Sequence, residues 1–346
     1  METTRPPCLE RSTSTTAKPV HLWSPHLYGL ERLKPHILRL SVTERCNFRC
    51  PYCTPLKGFP KTPYRDLPSL DALADAAIWL GRAWNVTRVR ITGGEPLIRP
   101  GLLGLIRRLT AEKLFAEISL TTNGSRLHAL ALPLKQAGLS RVNVSLDTLD
   151  PGRFRDLTGG KLDDTLRGIE TAVKFGLTPL RINAVLQRNQ WQEDIPALIQ
   201  FAQTGSLEVR FIELLPIGSV GDWSRDQFIP ATEVIEFLKG KGEVVRLPHQ
   251  AGAPARETLF RQNGNEVRIG WITPESESFC EGCNRLRLDS HGRLRRCLMD
   301  PQTLDLVGIL SAKGEIEAAT ALEEYMFGKR PPDLMRSDNI MVAVGG

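Results

Sequence analysis

A chain of 346 residues, 41% of them hydrophobic, can bury one large domain with an appendage, or two modest domains. It holds no apolar run of membrane-span length and no signal-peptide core at its start, which sets aside membrane and secretory classes and, with seven cysteines, points to a reducing, cytoplasmic setting. The net charge of +6 favours an anionic ligand but does not by itself name one.

Residues 1–32 are rich in Ser, Thr and Pro, lack apolar periodicity and read as a disordered leader. Arg-containing and acid-poor, the leader would direct the protein to an organelle matrix if it were a transit peptide, although its prolines make a poor amphipathic helix. Cys8 within it reads as an ordinary free thiol.

Residues 33–215 alternate strand-like and helical runs. Strands are predicted over 37–43, 86–92, 116–122, 141–147, 180–186 and 207–213. Between them, Ser69 can cap a helix carrying the stripe Leu73, Ala77, Leu80 and Trp84. A second stripe, Leu162, Leu166, Ile169 and Val173, ends where Gly176 can stop it. Six β-then-α units predict an α/β fold, a partial (βα)6 TIM-like barrel open on one side; a flat doubly wound sheet is the second choice.

The first strand runs into Cys46-Asn-Phe-Arg-Cys50-Pro-Tyr-Cys53. Three thiolates on one short loop can hold three irons of a cubane cluster and leave the fourth open to a small molecule. A zinc loop and three buried thiols are the alternatives. One unit later Gly93-Gly94-Glu95-Pro96 ends the second strand, where glycines let backbone approach a ligand at the carboxyl edge of a parallel sheet.

The strands alternate in a way buried parallel strands normally do not. Arg39, Ser41 and Thr43 share a face, as do Arg88, Arg90 and Thr92, then Ser119 and Thr121, then Asn143, Ser145 and Asp147, then Arg181 and Asn183. If helices cover the apolar faces, the polar faces line a cavity. Arginines pointing into it need an anion, and polyphosphate suits several guanidinium forks. An antiparallel sheet with its polar side in water is the alternative, and the intervening helices argue against it.

Residues 216–346 read as a smaller α+β cap. A helix is predicted over 231–239 and short antiparallel strands over 257–261, 266–272, 286–289 and 294–298. The cap carries Cys280-Glu-Gly-Cys283 and Cys297, and the residues between Cys283 and Cys297 can form a hairpin that brings the third thiol back. Alone, this spacing suits zinc as readily as iron, with His291 able to complete four ligands. Arg285 and Arg287 alternate on one strand and point the same way beside the metal. The chain ends in Gly345-Gly346, thin enough to thread into a cavity, or simply frayed.

Cys46-x3-Cys50-x2-Cys53, preceded by Ser41-Val-Thr-Glu-Arg45, resembles the radical S-adenosylmethionine (SAM) signature, and Gly93-Gly-Glu-Pro96 resembles the motif that holds the SAM amino group. With the second cysteine set, Arg285, Arg287 and the Gly–Gly tail, the chain is similar to the MoaA family, the GTP 3′,8-cyclases of molybdenum-cofactor biosynthesis. The resemblance runs from about residue 33 to the carboxyl terminus. It implies two 4Fe–4S clusters, each with an open iron, SAM on the first and the guanine of GTP on the second. A 5′-deoxyadenosyl radical then removes the ribose C3′ hydrogen, and C3′ attacks guanine C8. The product is (8S)-3′,8-cyclo-7,8-dihydroguanosine 5′-triphosphate, which a MoaC-type cyclic pyranopterin monophosphate synthase consumes.

The resemblance further implies that Tyr52, Gly94 and Ser145 contact SAM. Leu215 stands where the family commonly has methionine; a SAM contact through its backbone would survive the change, and one through its side chain would not. GTP would meet Arg39, Arg90, Thr121, Arg285 and Arg287, with Arg181, commonly lysine, on the triphosphate. Arg285, Arg287, Gly345 and Gly346 would order the radical step. It implies a flavodoxin or ferredoxin as electron donor, allows a homodimer, and leaves no role for nucleic acid. Two other classes compete: a different auxiliary-cluster radical SAM enzyme, such as a peptide maturase, and a zinc-containing nucleic-acid-binding protein.

Overall fold

A computed structural model describes residues 36–55, 58–215, 225–249, 252–277, 283–327 and 341. The leader with Cys8, together with Cys280, Gly345 and Gly346, lies outside the described residues.

Six strands, β1 (Ile37–Ser41), β2 (Arg88–Thr92), β3 (Glu117–Thr122), β4 (Arg141–Ser145), β5 (Arg181–Val185) and β6 (Glu208–Ile212), pair in parallel and in sequence order. Each connection contains a helix, which parallel neighbours require: α1 (Leu70–Trp84), α2 (Leu102–Ala111), α3 (Leu127–Gln136), α4 (Pro151–Thr158) with α5 (Leu162–Lys174), and α6 (Trp191–Thr204). One face of every strand is apolar and sealed by helices; Leu38, Leu40, Val89, Ile91, Leu120, Val142, Ile182 and Val209 have no exposed surface. The opposite face carries the polar residues, and the inward positions of all six strands line a single cavity. The sheet is therefore curved into the expected partial barrel.

The Ser69 hydroxyl accepts from Ala72 N at 3.1 Å and caps α1, whose Leu73, Ala77, Leu80 and Trp84 are all buried. The second stripe differs from expectation. Val173 is exposed, while α5 buries Leu162, Thr165, Gly168, Ile169 and Ala172. The cause is close packing: a side chain at Gly168 would come within 2.3 Å of the Gly124 carbonyl at the start of α3. Small residues, which carry little hydrophobic signal, form much of the buried face.

After β6 come α7 (Ala231–Lys239), β7 (Glu243–Arg246), β8 (Arg256–Gln262), β9 (Asn265–Ile272), β10 (Arg285–Leu288), β11 (Arg293–Arg295), β12 (Leu304–Asp305), α8 (Leu306–Lys313) and α9 (Glu315–Phe327). These strands do not form a sheet of their own. β9 pairs in parallel with β6 and carries β8 and β7 antiparallel beyond it. β10 pairs in parallel with β1, Ile37 opposite Arg285 and Leu40 opposite Leu288, and β11 and β12 follow antiparallel. The carboxyl-terminal part thus extends both edges of the barrel sheet, covering edges that would otherwise offer unpaired backbone groups.

Candidate active site

Direction along the sheet fixes where the two cysteine sets lie. Cys46, Cys50 and Cys53 follow β1 and sit beyond its carboxyl end. Cys283 precedes β10, which runs parallel to β1, so it sits beyond the amino ends. A five-residue strand spans about 16 Å, which puts the two sets at opposite mouths of the barrel. Both open into the same cavity of about 920 Å³.

At the carboxyl end the cysteine loop is laced to its surroundings through backbone. Gly94 N donates to Thr43 O at 2.7 Å and Glu95 N to Arg45 O at 2.8 Å. A side chain at Gly93 would come within 2.5 Å of Thr43 O, and one at Gly94 within 2.2 Å of Arg45 O. The double glycine therefore serves the approach of two chain segments, in addition to any approach of ligand at Gly94. Glu95 accepts from Leu97 N, the Thr122 hydroxyl and Asn123 N at 2.9, 2.7 and 2.7 Å. Even so, burial pushes its carboxyl up to about 7. Tyr52 donates to Asp147, whose other oxygen accepts from Val185 N at 2.8 Å, and burial raises Asp147 to about 6.

Burial also pushes the Cys46 thiol up to about 11 and Cys53 to about 12. Such thiols stay protonated until a cation compensates their charge, which a bound iron cluster does. Among the described residues, no three His, Cys, Asp or Glu side chains converge on a point that would suit one metal ion. A cubane, whose irons occupy separate corners, instead wants three thiols around a hollow, and Cys46, Cys50 and Cys53 all line one.

In the middle of the barrel, register stacks guanidinium groups side by side. Arg287 lies opposite Arg39, and Arg39 opposite Arg90. Among the described residues, ten arginines and six Asp or Glu residues line the cavity, an excess of four positive charges. Burial and then the neighbouring arginines drive Arg39 well below its ordinary value. Burial likewise takes Arg90 to about 9 and Arg287 to about 10. The Nε of Arg90 is buried with no hydrogen-bond partner among the described residues. Concentrated buried cations with an orphaned donor fit an anion as ligand. Around this belt other arginines already hold carboxylates. Arg141 grips Glu117 through two bonds of 3.0 and 2.7 Å, and Arg181 pairs with Glu208.

At the amino end Arg285 donates to Cys283 Sγ and Met299 N to Cys297 Sγ, both at 3.4 Å. β10 and β11 form the expected hairpin, with Arg287 opposite Arg295. His291 sits at its far tip, and its Nε2 lies 3.2 Å from Glu44. That removes His291 as a fourth ligand beside Cys283 and Cys297, because the hairpin points it at the other end of the barrel.

The described site residues named from sequence, Tyr52, Gly94, Ser145, Leu215, Arg39, Arg90, Thr121, Arg181, Arg285, Arg287 and the five described thiols of the two sets, all line this cavity. Sequence reasoning missed Arg141 and Arg210, which also line it. Both were within reach: Arg141 shares the parity of Asn143 and Ser145 on β4, and the same alternation applied to β6 selects Glu208, Arg210 and Ile212.

Two family models match the chain: the radical SAM superfamily over residues 40–202 and Molybdenum Cofactor Synthesis C over residues 207–334. A GTP 3′,8-cyclase of Peptoclostridium acidaminophilum is 39% identical over 314 residues, 89% of this chain and 95% of that protein. GTP 3′,8-cyclase 1 of Pseudomonas aeruginosa is 41% identical over 276 residues, 79% and 82% of the two chains. Among solved structures, Streptococcus suis SuiB bound to precursor peptide SuiA superposes with a TM-score of 0.56 at 17% identity, covering 82% of this chain and 66% of that one. This last likeness concerns the fold alone. Matched along nearly its whole described length at about two residues in five, the chain belongs to the GTP 3′,8-cyclase family of radical SAM enzymes.

Proposed function

We propose that this protein converts GTP into (8S)-3′,8-cyclo-7,8-dihydroguanosine 5′-triphosphate, a step of molybdenum-cofactor biosynthesis, inside the barrel cavity. The observation that carries the reading is a single cavity with cysteine sets at opposite mouths and buried arginines between them. Cys46, Cys50 and Cys53 hold one 4Fe–4S cluster, and Cys280, Cys283 and Cys297 hold another. The first cluster with SAM supplies one-electron reduction and the carbon radical that removes the ribose C3′ hydrogen.

The residues of the chain bind, orient and shield. Tyr52, Gly94, Ser145 and the backbone at Leu215 hold SAM at the carboxyl mouth. Arg39, Arg90 and Arg181 grip the triphosphate through charge-assisted bonds, with Thr121 beside them. Arg285 and Arg287 border the guanine at the amino mouth, and Gly345 and Gly346 would help order the reacting groups. Held at both ends, GTP presents C3′ toward SAM and keeps C8 within reach of it. The helix-sealed outer faces keep water from the radical step. A MoaC-type synthase takes the product, and an external carrier supplies two electrons, one to cleave SAM and one, with a proton, to quench the radical left after C3′ attacks C8.

Anaerobic reconstitution with iron and sulfide, followed by reaction with SAM, GTP and dithionite as reductant, tests the reading. The expected products are cyclised GTP and 5′-deoxyadenosine in equal amounts. Recovery of unchanged GTP from a fully loaded protein that cleaves SAM would overturn it.

A further inference from the structure

The proposed reaction draws the electron that cleaves SAM from outside the chain, so a donor must come close to the first cysteine loop. The outer side of that loop is at the surface. Asn47 and Arg49 are exposed while Cys46 and Cys50 lie just beneath. Asn47 donates to the Ser125 hydroxyl at 3.0 Å, and Arg49 N donates to Thr158 O at 2.9 Å. Those two bonds bring Arg126 to one flank of the loop, and Arg155 and Lys161 to the other. A side chain at Gly159 would come within 3.0 Å of Arg49 Nε, so Arg49 lies directly over the turn between Arg155 and Lys161. Lys61 is also close, since its charge acts on Cys46.

Charge pairing distinguishes this surface from its neighbours. On the same two helices, Arg153 pairs with Glu193 and Asp194 and Arg167 pairs with Asp164. Arg49, Lys61, Arg126, Arg155 and Lys161, all exposed, form no ion pair among the described residues. The exposed acids nearby in sequence are Asp156 and Asp163, which leaves the patch positive. Cations left unneutralised around the point where an electron must enter steer an acidic partner to it.

We infer that Arg49, Arg126, Arg155 and Lys161 form the docking surface for a small acidic one-electron carrier protein. The inference rests on the radical SAM reading, and its test separates the two. The reconstituted holoenzyme is compared with the triple variant Arg126→Glu, Arg155→Glu, Lys161→Glu and with a charge-matched control, Arg107→Glu, Lys113→Glu, Lys174→Glu. The control residues are exposed and, for Lys113 and Lys174, stand just before strands at the opposite end of the barrel. 5′-Deoxyadenosine formation is driven by dithionite or by a fully reduced acidic flavodoxin, at low and at high salt.

With dithionite all three proteins should match. With flavodoxin at low salt the triple variant should slow by about tenfold, and the salt sensitivity of the parent should disappear. The neutral triple variant with Gln at the three positions should fall between. No dithionite-driven cleavage by the parent would defeat the radical SAM reading itself. Equal flavodoxin rates in triple variant and parent, equal slowing in the control, or slowing with both donors would each defeat the docking surface alone.

Discussion

The two mouths of the barrel handle charge in opposite ways. At the carboxyl mouth, buried carboxylates meet donors within the chain. Glu95 takes two backbone N–H groups and a hydroxyl, and Asp147 takes Tyr52 and Val185 N. Glu213, at the end of β6, similarly accepts from Ala231 N and Ser276 N at 2.9 and 3.0 Å. Toward the amino mouth guanidinium groups stand in register and depress one another. The carboxyl mouth is a socket whose shape its own hydrogen bonds maintain. The amino half carries an excess of buried positive charge, which an anion would offset. On the proposed reading, rigid geometry sits where the radical would form, and binding energy where the substrate would be held.

The largest expected effect separates the mouths outright. Replacing Cys46, Cys50 and Cys53 by Ala should abolish SAM cleavage. Replacing Cys283 and Cys297 should leave uncoupled 5′-deoxyadenosine formation but no cyclised GTP. Chromatography of both products from one reaction reads the two outcomes. Cyclised GTP from the Cys283 and Cys297 variant would erase the division of labour.

Much of this division was legible in the sequence because period-2 alternation survives on each strand. Arg39, Arg90, Thr121 and Ser145 were found that way, and all line the cavity. What was not legible depends on pairing across long separations. Nothing local says that residues 285–288 pair beside 37–40, although that pairing puts the second cysteine set at the opposite mouth and swings His291 away from it. The Glu117–Arg141 and Arg181–Glu208 pairs escaped for the same reason, since each joins adjacent strands whose register only the folded sheet fixes. The stripe on α5 failed because Gly168 marks close backbone approach rather than hydrophobic burial.

The next effect probes the carboxyl mouth. Its buried carboxyl Glu95 titrates near 7 rather than at its ordinary 4.5. With the folded value raised, the contribution to stability is full below the unfolded value and is lost as pH rises through the folded one. The loss corresponds to about 3 kcal/mol across that window. In urea unfolding of cluster-free protein, the parent should lose about that much more than Glu95→Gln as pH rises from about 5 to about 8. A parent-to-variant difference that stays constant over the window would mean that the carboxyl is not held in a water-poor socket.

The amino half should respond through ligand rather than through pH. Arg90→Ala removes a buried donor group whose Nε has no partner among the described residues. A charge-assisted hydrogen bond is worth about 1.5–3 kcal/mol, so GTP binding should weaken by about tenfold or more while SAM binding holds. Isothermal titration with each ligand separates these outcomes. Equal weakening of both ligands would show that the two halves are not independent.

The smallest effect concerns Arg181, a guanidinium already held by Glu208. Its pairing keeps the fork oriented but shares its charge, so the net gain from a phosphate is less than at Arg90. Arg181→Lys retains the charge, gives up the fork, and should cost only a few-fold in GTP affinity. Glu208→Gln offers the complementary measurement. If the carboxylate merely orients Arg181, its loss should also weaken GTP binding by a few-fold. If it competes with the triphosphate for Arg181, its loss should tighten binding instead. The sign of the Glu208→Gln effect decides between them, and a cycle combining both changes checks that it acts through Arg181, because only coupling through the shared guanidinium makes the double variant depart from the sum of the single ones. Unchanged GTP affinity in Arg181→Lys and in Arg181→Ala would remove Arg181 from the substrate-binding half and leave it a purely structural partner of Glu208.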